Sequence, residues 1–144
     1  MTIEVRKRIL FLCTHDSSRS QMAERLLRKR AGDRFDVHSA GTEVTRVHSL
    51  AVEAMREIGI DISVQRSKNI DDFTGQHFDY VITVCDQANE SYPMLPGATE
   101  RVHWSFEDPA KAAGTADQQL QTFRRVREAI LARLRLFGTV TGRR

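Results

Sequence analysis

The sequence predicts one α/β domain in which a parallel sheet is covered by helices on both faces. Two observations support this fold class. Apolar runs of strand length alternate along the chain with segments whose apolar residues recur at helical spacing. The chain has 144 residues, of which 40% are hydrophobic and 28% charged, and these values are ordinary for a single globular domain. We therefore expect residues 1–144 to form one domain.

The first predicted elements are a buried strand and a helix, joined by a polar loop. Ile9–Cys13 is a short apolar run, which is typical of a strand buried on both faces of a sheet. The loop Thr14–Ser18 follows. Gln21–Arg30 is expected to be a helix because its apolar residues form one stripe and its last turn is basic. Gly32 is the expected C-cap of this helix.

The rest of the chain continues the alternation of strands and helices. Ser49–Ile58 has apolar residues at helical spacing, and Gly59 should end that helix. Further strands are expected at Phe35–Ala40, Asp79–Cys85 and Arg101–Trp104. A long final helix is predicted from one apolar face, which consists of Leu120, Phe123, Val126, Ile130, Leu134 and Phe137. The arginines of this helix lie mostly on the opposite face and are expected to be solvated.

Composition argues against several classes of function. No apolar run approaches the roughly 20 residues that span a bilayer, and the first eight residues lack the apolar segment of a signal peptide. We therefore expect a cytoplasmic monomer without a membrane partner. A net charge of +3 is too small to indicate a nucleic-acid partner. No metal site is expected, because metal-ligand spacing is absent among the histidines His15, His38, His48, His77 and His103.

The two cysteines give the first indication of function. Two are too few for a disulfide-stapled scaffold or a four-cysteine zinc site. Cys13 and Cys85 each lie at the carboxyl end of a predicted strand, which is the edge where α/β sheets bind their ligands. They are either structural thiols or two reactive thiols in a reducing compartment.

The loop after Cys13 has the features of an oxyanion site. Its amides and the following helix N-terminus favour an anion, and Arg19 can donate two hydrogen bonds to a tetrahedral oxyanion. The same field should lower the Cys13 pKa below its ordinary value of about 8.5 and so activate a nucleophile. The candidate oxyanion-binding residues are Thr14, His15, Asp16, Ser17, Ser18, Arg19 and Ser20.

These residues also carry a family resemblance. Cys13 and the segment Arg19–Glu24 resemble the signature of the low-molecular-weight tyrosine phosphatase superfamily, and within it the arsenate reductases coupled to thioredoxin. Matching motifs continue along the chain at Ser39–Thr42, Gly59–Ser63, Val81–Asp86 and His103–Pro109. The resemblance implies a four-stranded parallel sheet flanked by helices, with arsenate as substrate and arsenite as product.

The resemblance also implies a role for each reactive residue. The Cys13 thiolate would attack arsenate held by Arg19 and the loop amides, and Asp108 would act as the general acid. Cys85 would then attack the Cys13 sulfur, release arsenite and leave a Cys13–Cys85 disulfide. No tightly bound cofactor is implied. An external thiol (thioredoxin, glutaredoxin or a small thiol) would reduce the disulfide.

Three positions depart from the family pattern. Tyr92 stands where a third redox cysteine is usual, so the disulfide would have to be reduced directly. Asp16 replaces an asparagine, and like asparagine it can adopt a left-handed conformation. Its negative charge should disfavour binding of a nearby anion by about 2–3 kcal/mol and should raise the Cys13 pKa. Lys68 aligns with an aspartate that helps some relatives to bind potassium, and its ammonium could replace that ion by pairing with Asp16 or Glu24.

Two alternative functions stay open. One is a phosphatase acting on phosphotyrosine or small phosphate esters, although Ala110–Ala112 follow Asp108-Pro109 where phosphatases usually carry aromatic residues. The other is a non-catalytic relative that binds oxyanions.

Overall fold

The computed structural model describes residues 6–86 and 98–141, and it confirms the predicted α/β architecture. Within these ranges the strands are β1 Lys7–Cys13, β2 Phe35–Gly41, β3 Phe78–Thr83 and β4 Ala98–His103. They form a parallel sheet in the order β2-β1-β3-β4. The central position of β1 brings the ends of β2 and β3 next to Cys13.

Three α-helices lie in the described ranges: α1 Arg19–Ala31, α2 Ser49–Arg56 and α3 Ala116–Thr141. Single 3₁₀ turns at Ile70–Phe73 and Pro109–Lys111 lie in the connections. Among the described residues, none of these helices is long and apolar enough to cross a membrane.

The core is built around β1. Ile9, Leu10, Phe11 and Leu12 are consecutive, and each is at most 1% exposed. Because successive strand residues point to opposite faces, their burial means that both faces of the sheet are covered. The predicted apolar face of α3 is also confirmed, with Phe123, Val126, Ile130 and Leu134 buried and Leu120 and Phe137 packed against the same core.

Element boundaries differ from the predicted ones by one to three residues. The helix α2 ends at Arg56, so the prediction that Ile58 belongs to this helix is wrong. Ile58 lies in a turn that ends at Gly59, whose φ of 79° favours glycine. The edge strand β4 begins at Ala98 rather than Arg101. Its exposed Thr99 and Glu100 do not produce an apolar run that a sequence pattern could detect.

One arginine of α3 contradicts the expectation of a solvated basic face. Arg127 is 9% exposed, and its guanidinium donates to the Ala54 carbonyl oxygen at 2.6 Å. It also contacts Glu57 at 3.1 Å, and Arg124 donates to the same carboxylate. Arg127 and Arg124 therefore bind α3 to the C-terminal end of α2.

We predict that Glu57→Gln destabilises the protein in a pH-dependent manner. The hydrogen bond from Arg124 lowers the Glu57 pKa, partial burial raises it, and Arg127 lowers it further, with a net value of about 2. A depressed carboxyl pKa stabilises the fold above the unfolded-state pKa, and this stabilisation is lost as pH falls through the folded-state value. Urea unfolding should therefore show a deficit for Glu57→Gln at pH 7 that shrinks progressively below about pH 4.5.

Asp33→Asn is the control, because the Asp33 side chain is exposed and makes no ion pair within the described chain. A Glu57→Gln deficit that stays constant down to pH 2 would contradict the proposed origin of the stabilisation.

Candidate active site

The loop between β1 and α1 is held by close packing against Gly41. A Cβ atom at Gly41 would lie 2.7 Å from the Thr14 carbonyl oxygen and 2.7 Å from the Asp16 amide nitrogen. Glycine is therefore required at the end of β2 for the loop to approach it. Further along, the His48 amide donates to the Ser17 carbonyl oxygen at 3.0 Å, so the chain after β2 braces the loop.

Asp16 turns the backbone of the loop. Its φ is 49°, which confirms that aspartate adopts the left-handed conformation here, and it is fully buried. The carboxylate accepts hydrogen bonds from the Ser20 hydroxyl at 2.7 Å and from the Lys68 amide at 2.9 Å. The Lys68 ammonium lies 3.1 Å from the same carboxylate. Asp16 thus holds the loop through its side chain while its charge is paired.

Lys68 belongs to a buried charge network beneath the loop. Its ammonium also lies 3.6 Å from Glu24, which accepts hydrogen bonds from the Ser39 hydroxyl and the Arg28 guanidinium. The hypothesis that Lys68 pairs with Asp16 or Glu24 is confirmed, and the ammonium contacts both. No group of three or more His, Cys, Asp or Glu side chains in the described ranges could hold a metal ion.

The two thiols meet at the carboxyl edge of the sheet, as their positions in the sequence predict. Leu12 is paired with Thr83 across β1 and β3, so the residues that follow these strands lie side by side. Cys13 and Cys85 form no disulfide and are buried, and the Cys85 thiol lies close enough to raise the pKa of the Cys13 thiol. The Thr14 hydroxyl lies 3.3 Å from the Cys85 sulfur.

The expected lowering of the Cys13 pKa is wrong. The hydrogen bond with Cys85 and burial raise the pKa of the Cys13 thiol well above its ordinary value, while Arg19 and the Thr14 amide lower it without compensating. Two buried thiolates in contact would repel each other, so the thiol pair retains one proton more firmly than two isolated cysteines would.

A small pocket of about 220 Å³ opens above the Cys13 sulfur. Arg19 spans it: one guanidinium nitrogen donates to the Phe106 carbonyl oxygen at 3.0 Å, and another lies 3.5 Å from the Asp108 carboxylate. Asp108 is fixed in turn by the Ala110 amide, which donates to its other oxygen at 3.0 Å. The pocket therefore holds a thiol, a guanidinium and a carboxylate together.

The structure divides the predicted site residues into two groups. Those that line the pocket are Cys13, His15, Ser17, Ser18, Arg19 and Asp108. Asp16 and Ser20 are fully buried and support the loop from inside, and Thr14 contacts Cys85. The buried Ser18 hydroxyl makes no hydrogen bond in the described structure, which leaves a donor for a bound oxyanion.

Sequence reasoning did not place three of the pocket residues in the site, namely Thr45, His48 and Ala110. His48 precedes α2, where its Nδ1 accepts a hydrogen bond from the Leu50 amide at 3.1 Å, and its ring packs on Phe123. Burial lowers the His48 pKa, and Asp108 acts in the opposite direction. Metal-ligand spacing could not have detected this residue, although its position just before a helix is compatible with a capping role.

Comparisons with known proteins agree with this geometry. The family model of the low molecular weight phosphotyrosine protein phosphatases matches residues 8–141. An arsenate reductase of Halalkalibacterium halodurans is 51% identical over 133 residues, which cover 92% of this chain and 96% of that protein. An arsenate reductase of Bacillus subtilis is 46% identical over 132 residues, covering 92% and 95%.

Solved structures show the same relationship. An arsenate reductase in its oxidized state matches with a TM-score of 0.75 at 34% identity, covering 89% of this chain and 93% of that one. An arsenate reductase in a phosphate-binding state matches with a TM-score of 0.71 at 32% identity, covering 91% and 95%.

We predict that Cys85→Ala lowers the Cys13 pKa, because the substitution removes the hydrogen bond that raises it most. The pH dependence of Cys13 alkylation by iodoacetamide reports this pKa directly. Val84→Ala is a matched control, since it truncates a buried neighbour and leaves both thiols in place. A higher Cys13 pKa in Cys85→Ala would mean that the Cys85 thiol stabilises the Cys13 thiolate.

We also predict that Lys68→Met lowers the free energy of unfolding by about 3 kcal/mol, because it leaves the buried Asp16 carboxylate without a cation. Adding Asp16→Asn should recover part of that loss. Urea unfolding at pH 7 measures both effects, with Lys29→Met as the control on an exposed lysine. Equal stabilities of Lys68→Met and Lys29→Met would contradict the importance of the network.

Proposed function

Because the chain belongs to the low molecular weight phosphotyrosine protein phosphatase family, we propose that it is an arsenate reductase that works with two thiols. The observation that carries this proposal is the placement of Cys13 and Cys85 at the ends of adjacent strands, beside a pocket of about 220 Å³. Hydrolysis of a phosphate ester needs only one nucleophile. Reduction of arsenate needs two electrons, and a thiol pair that closes to a disulfide supplies them.

When the oxyanion binds, it replaces Asp108 as the partner of the Arg19 guanidinium. The guanidinium faces Asp108 in the described structure, and a tetrahedral oxyanion can accept two hydrogen bonds from it. The unsatisfied Ser18 hydroxyl and the loop amides at the start of α1 provide further donors. Together these groups place the central atom of the oxyanion next to the Cys13 sulfur.

In the first chemical step the bound oxyanion takes the proton of the Cys13 thiol, and the resulting thiolate forms a bond to arsenic. One arsenic–oxygen bond breaks, and Asp108 protonates the departing oxygen so that it leaves as water. Arsenic stays in the +5 state. Arg19 and the loop donors stabilise the charge on the remaining oxygens.

In the second step the Cys85 sulfur attacks the Cys13 sulfur. The sulfur–sulfur bond forms, the sulfur–arsenic bond breaks, and its electron pair stays on arsenic, which becomes +3. The proton lost by Cys85 ends on the departing arsenite. The two sulfurs have then been oxidised by two electrons in total, and the enzyme holds a Cys13–Cys85 disulfide.

An external thiol must then restore the reduced enzyme. Thioredoxin, glutaredoxin and a small thiol are the chemical candidates, and a reducing compartment such as the cytoplasm would keep both cysteines free between cycles. Tyr92, which stands in place of a third cysteine, lies outside the described residues.

Phosphatase activity is the second candidate. Cys13, Arg19 and Asp108 suffice to attack a phosphate ester and protonate its leaving group. This alternative needs no contribution from Cys85.

A single-turnover assay tests the proposal. Reduced wild-type protein mixed with arsenate should release one arsenite for each Cys13–Cys85 disulfide detected by mass spectrometry. Cys85→Ser should release none, and Asp108→Asn should be slower by about 100-fold, the usual effect of losing a general acid.

The other outcomes identify the alternatives. Hydrolysis of p-nitrophenyl phosphate that survives Cys85→Ser, without arsenite from the wild type, would indicate a phosphatase. Phosphate binding with neither activity would indicate a non-catalytic oxyanion-binding protein.

A further inference from the structure

We infer that the thiol that resets the disulfide is a small, carboxylate-bearing molecule, bound in a groove that runs from the Cys13 pocket past the N-terminus of α2 to Arg46. This inference rests on the proposed two-thiol cycle and names the reductant that the cycle requires. It is supported by the cysteine inventory, the access to sulfur, the shape of the groove and its charge.

The cysteine inventory excludes an internal relay. The chain contains two cysteines, Cys13 and Cys85, and both are consumed when the disulfide forms. No third thiol remains to carry the disulfide to the surface. The reductant must therefore attack one of these two sulfurs where it lies.

Access favours attack on Cys13. Both cysteines are almost fully buried, but Cys13 lines the pocket and Cys85 does not. A first thiolate would form a mixed disulfide with Cys13 and release Cys85 as a thiolate. A second thiol would then attack the mixed disulfide, so that two thiols are oxidised to one disulfide and both protein cysteines are reduced.

The shape of the entrance suits a small molecule. Cys13 lines the 220 Å³ pocket and is only 4% exposed, so a reductant has to insert its sulfur into the pocket. The pocket shares Ser17, Thr45 and His48 with a neighbouring cavity of about 490 Å³. That cavity shares Arg46, Val47 and Ser49 with a third, of about 480 Å³, beside α2. Cavities of this size accommodate ligands of a few hundred daltons.

The charge of the groove favours a carboxylate. Arg46 lines both larger cavities, and its exposed guanidinium makes no ion pair within residues 6–86 and 98–141. By contrast, Arg56 at the far end is already paired with Glu53 at 2.9 Å. The N-terminus of α2 adds a partial positive charge beside Arg46. A thiol with a carboxylate distal to its sulfur could contact Arg46 while the sulfur reaches Cys13.

The test isolates disulfide reduction from arsenate chemistry. The protein is oxidised with diamide to the Cys13–Cys85 disulfide, and its reduction is followed with glutathione, which carries carboxylates, and with 2-mercaptoethanol, which is neutral. We expect a saturable rate with glutathione. Arg46→Ala should lower the ratio of the glutathione rate to the 2-mercaptoethanol rate by about 1.4-fold to fivefold, the range for losing an exposed ion pair.

Arg30→Ala, which removes an exposed arginine at the far end of α1, should leave the ratio unchanged. With Cys85→Ser, oxidised glutathione should label Cys13. An unchanged ratio in Arg46→Ala, or reduction by thioredoxin with none by glutathione, would overturn the inference. Failure to form the disulfide at all would overturn the two-thiol cycle as well, whereas failure of the arsenite assay alone would overturn only the proposed function.

Discussion

The pairing of Lys68 with Asp16 and Glu24 is the interaction on which the rest of the site depends. Asp16 is fully buried and turns the loop through a left-handed conformation, so its carboxylate has to be neutralised inside the protein. Two carboxylates face two cations, Lys68 and Arg28, within this network. The formal charges of this network cancel, so it adds no net charge beneath the pocket that holds the Arg19–Asp108 pair and the helix N-terminus.

The sheet explains why two distant cysteines can act together. Cys13 ends the central strand, and Cys85 lies just beyond the neighbouring strand, where the Val84 amide still donates to the Leu12 carbonyl oxygen at 2.9 Å. Parallel pairing therefore places both cysteines at one edge of the sheet. In the proposed cycle this second thiol supplies the electrons that ester hydrolysis does not need.

The order of elements and the position of the loop could be predicted from local sequence patterns. The buried strand β1 is a run of consecutive apolar residues, and the buried face of α3 is a set of apolar residues at helical spacing. The Cys13 pKa could not be predicted, because it depends on a contact between residues 72 positions apart and on burial. The buried contacts of His48 and Arg127 could not be predicted for the same reason. Each looks like an ordinary polar residue in sequence, and only tertiary packing gives it a buried partner.

The ion pair between Arg19 and Asp108 has a consequence for the end of the cycle. To bind Arg19, an incoming oxyanion has to replace the Asp108 carboxylate as the partner of the guanidinium. The affinity is then the difference between two ion pairs. Arsenous acid is uncharged near neutral pH and cannot compete for Arg19 in this way. The return of Asp108 to its resting partner would therefore expel the product and empty the pocket for the next anion.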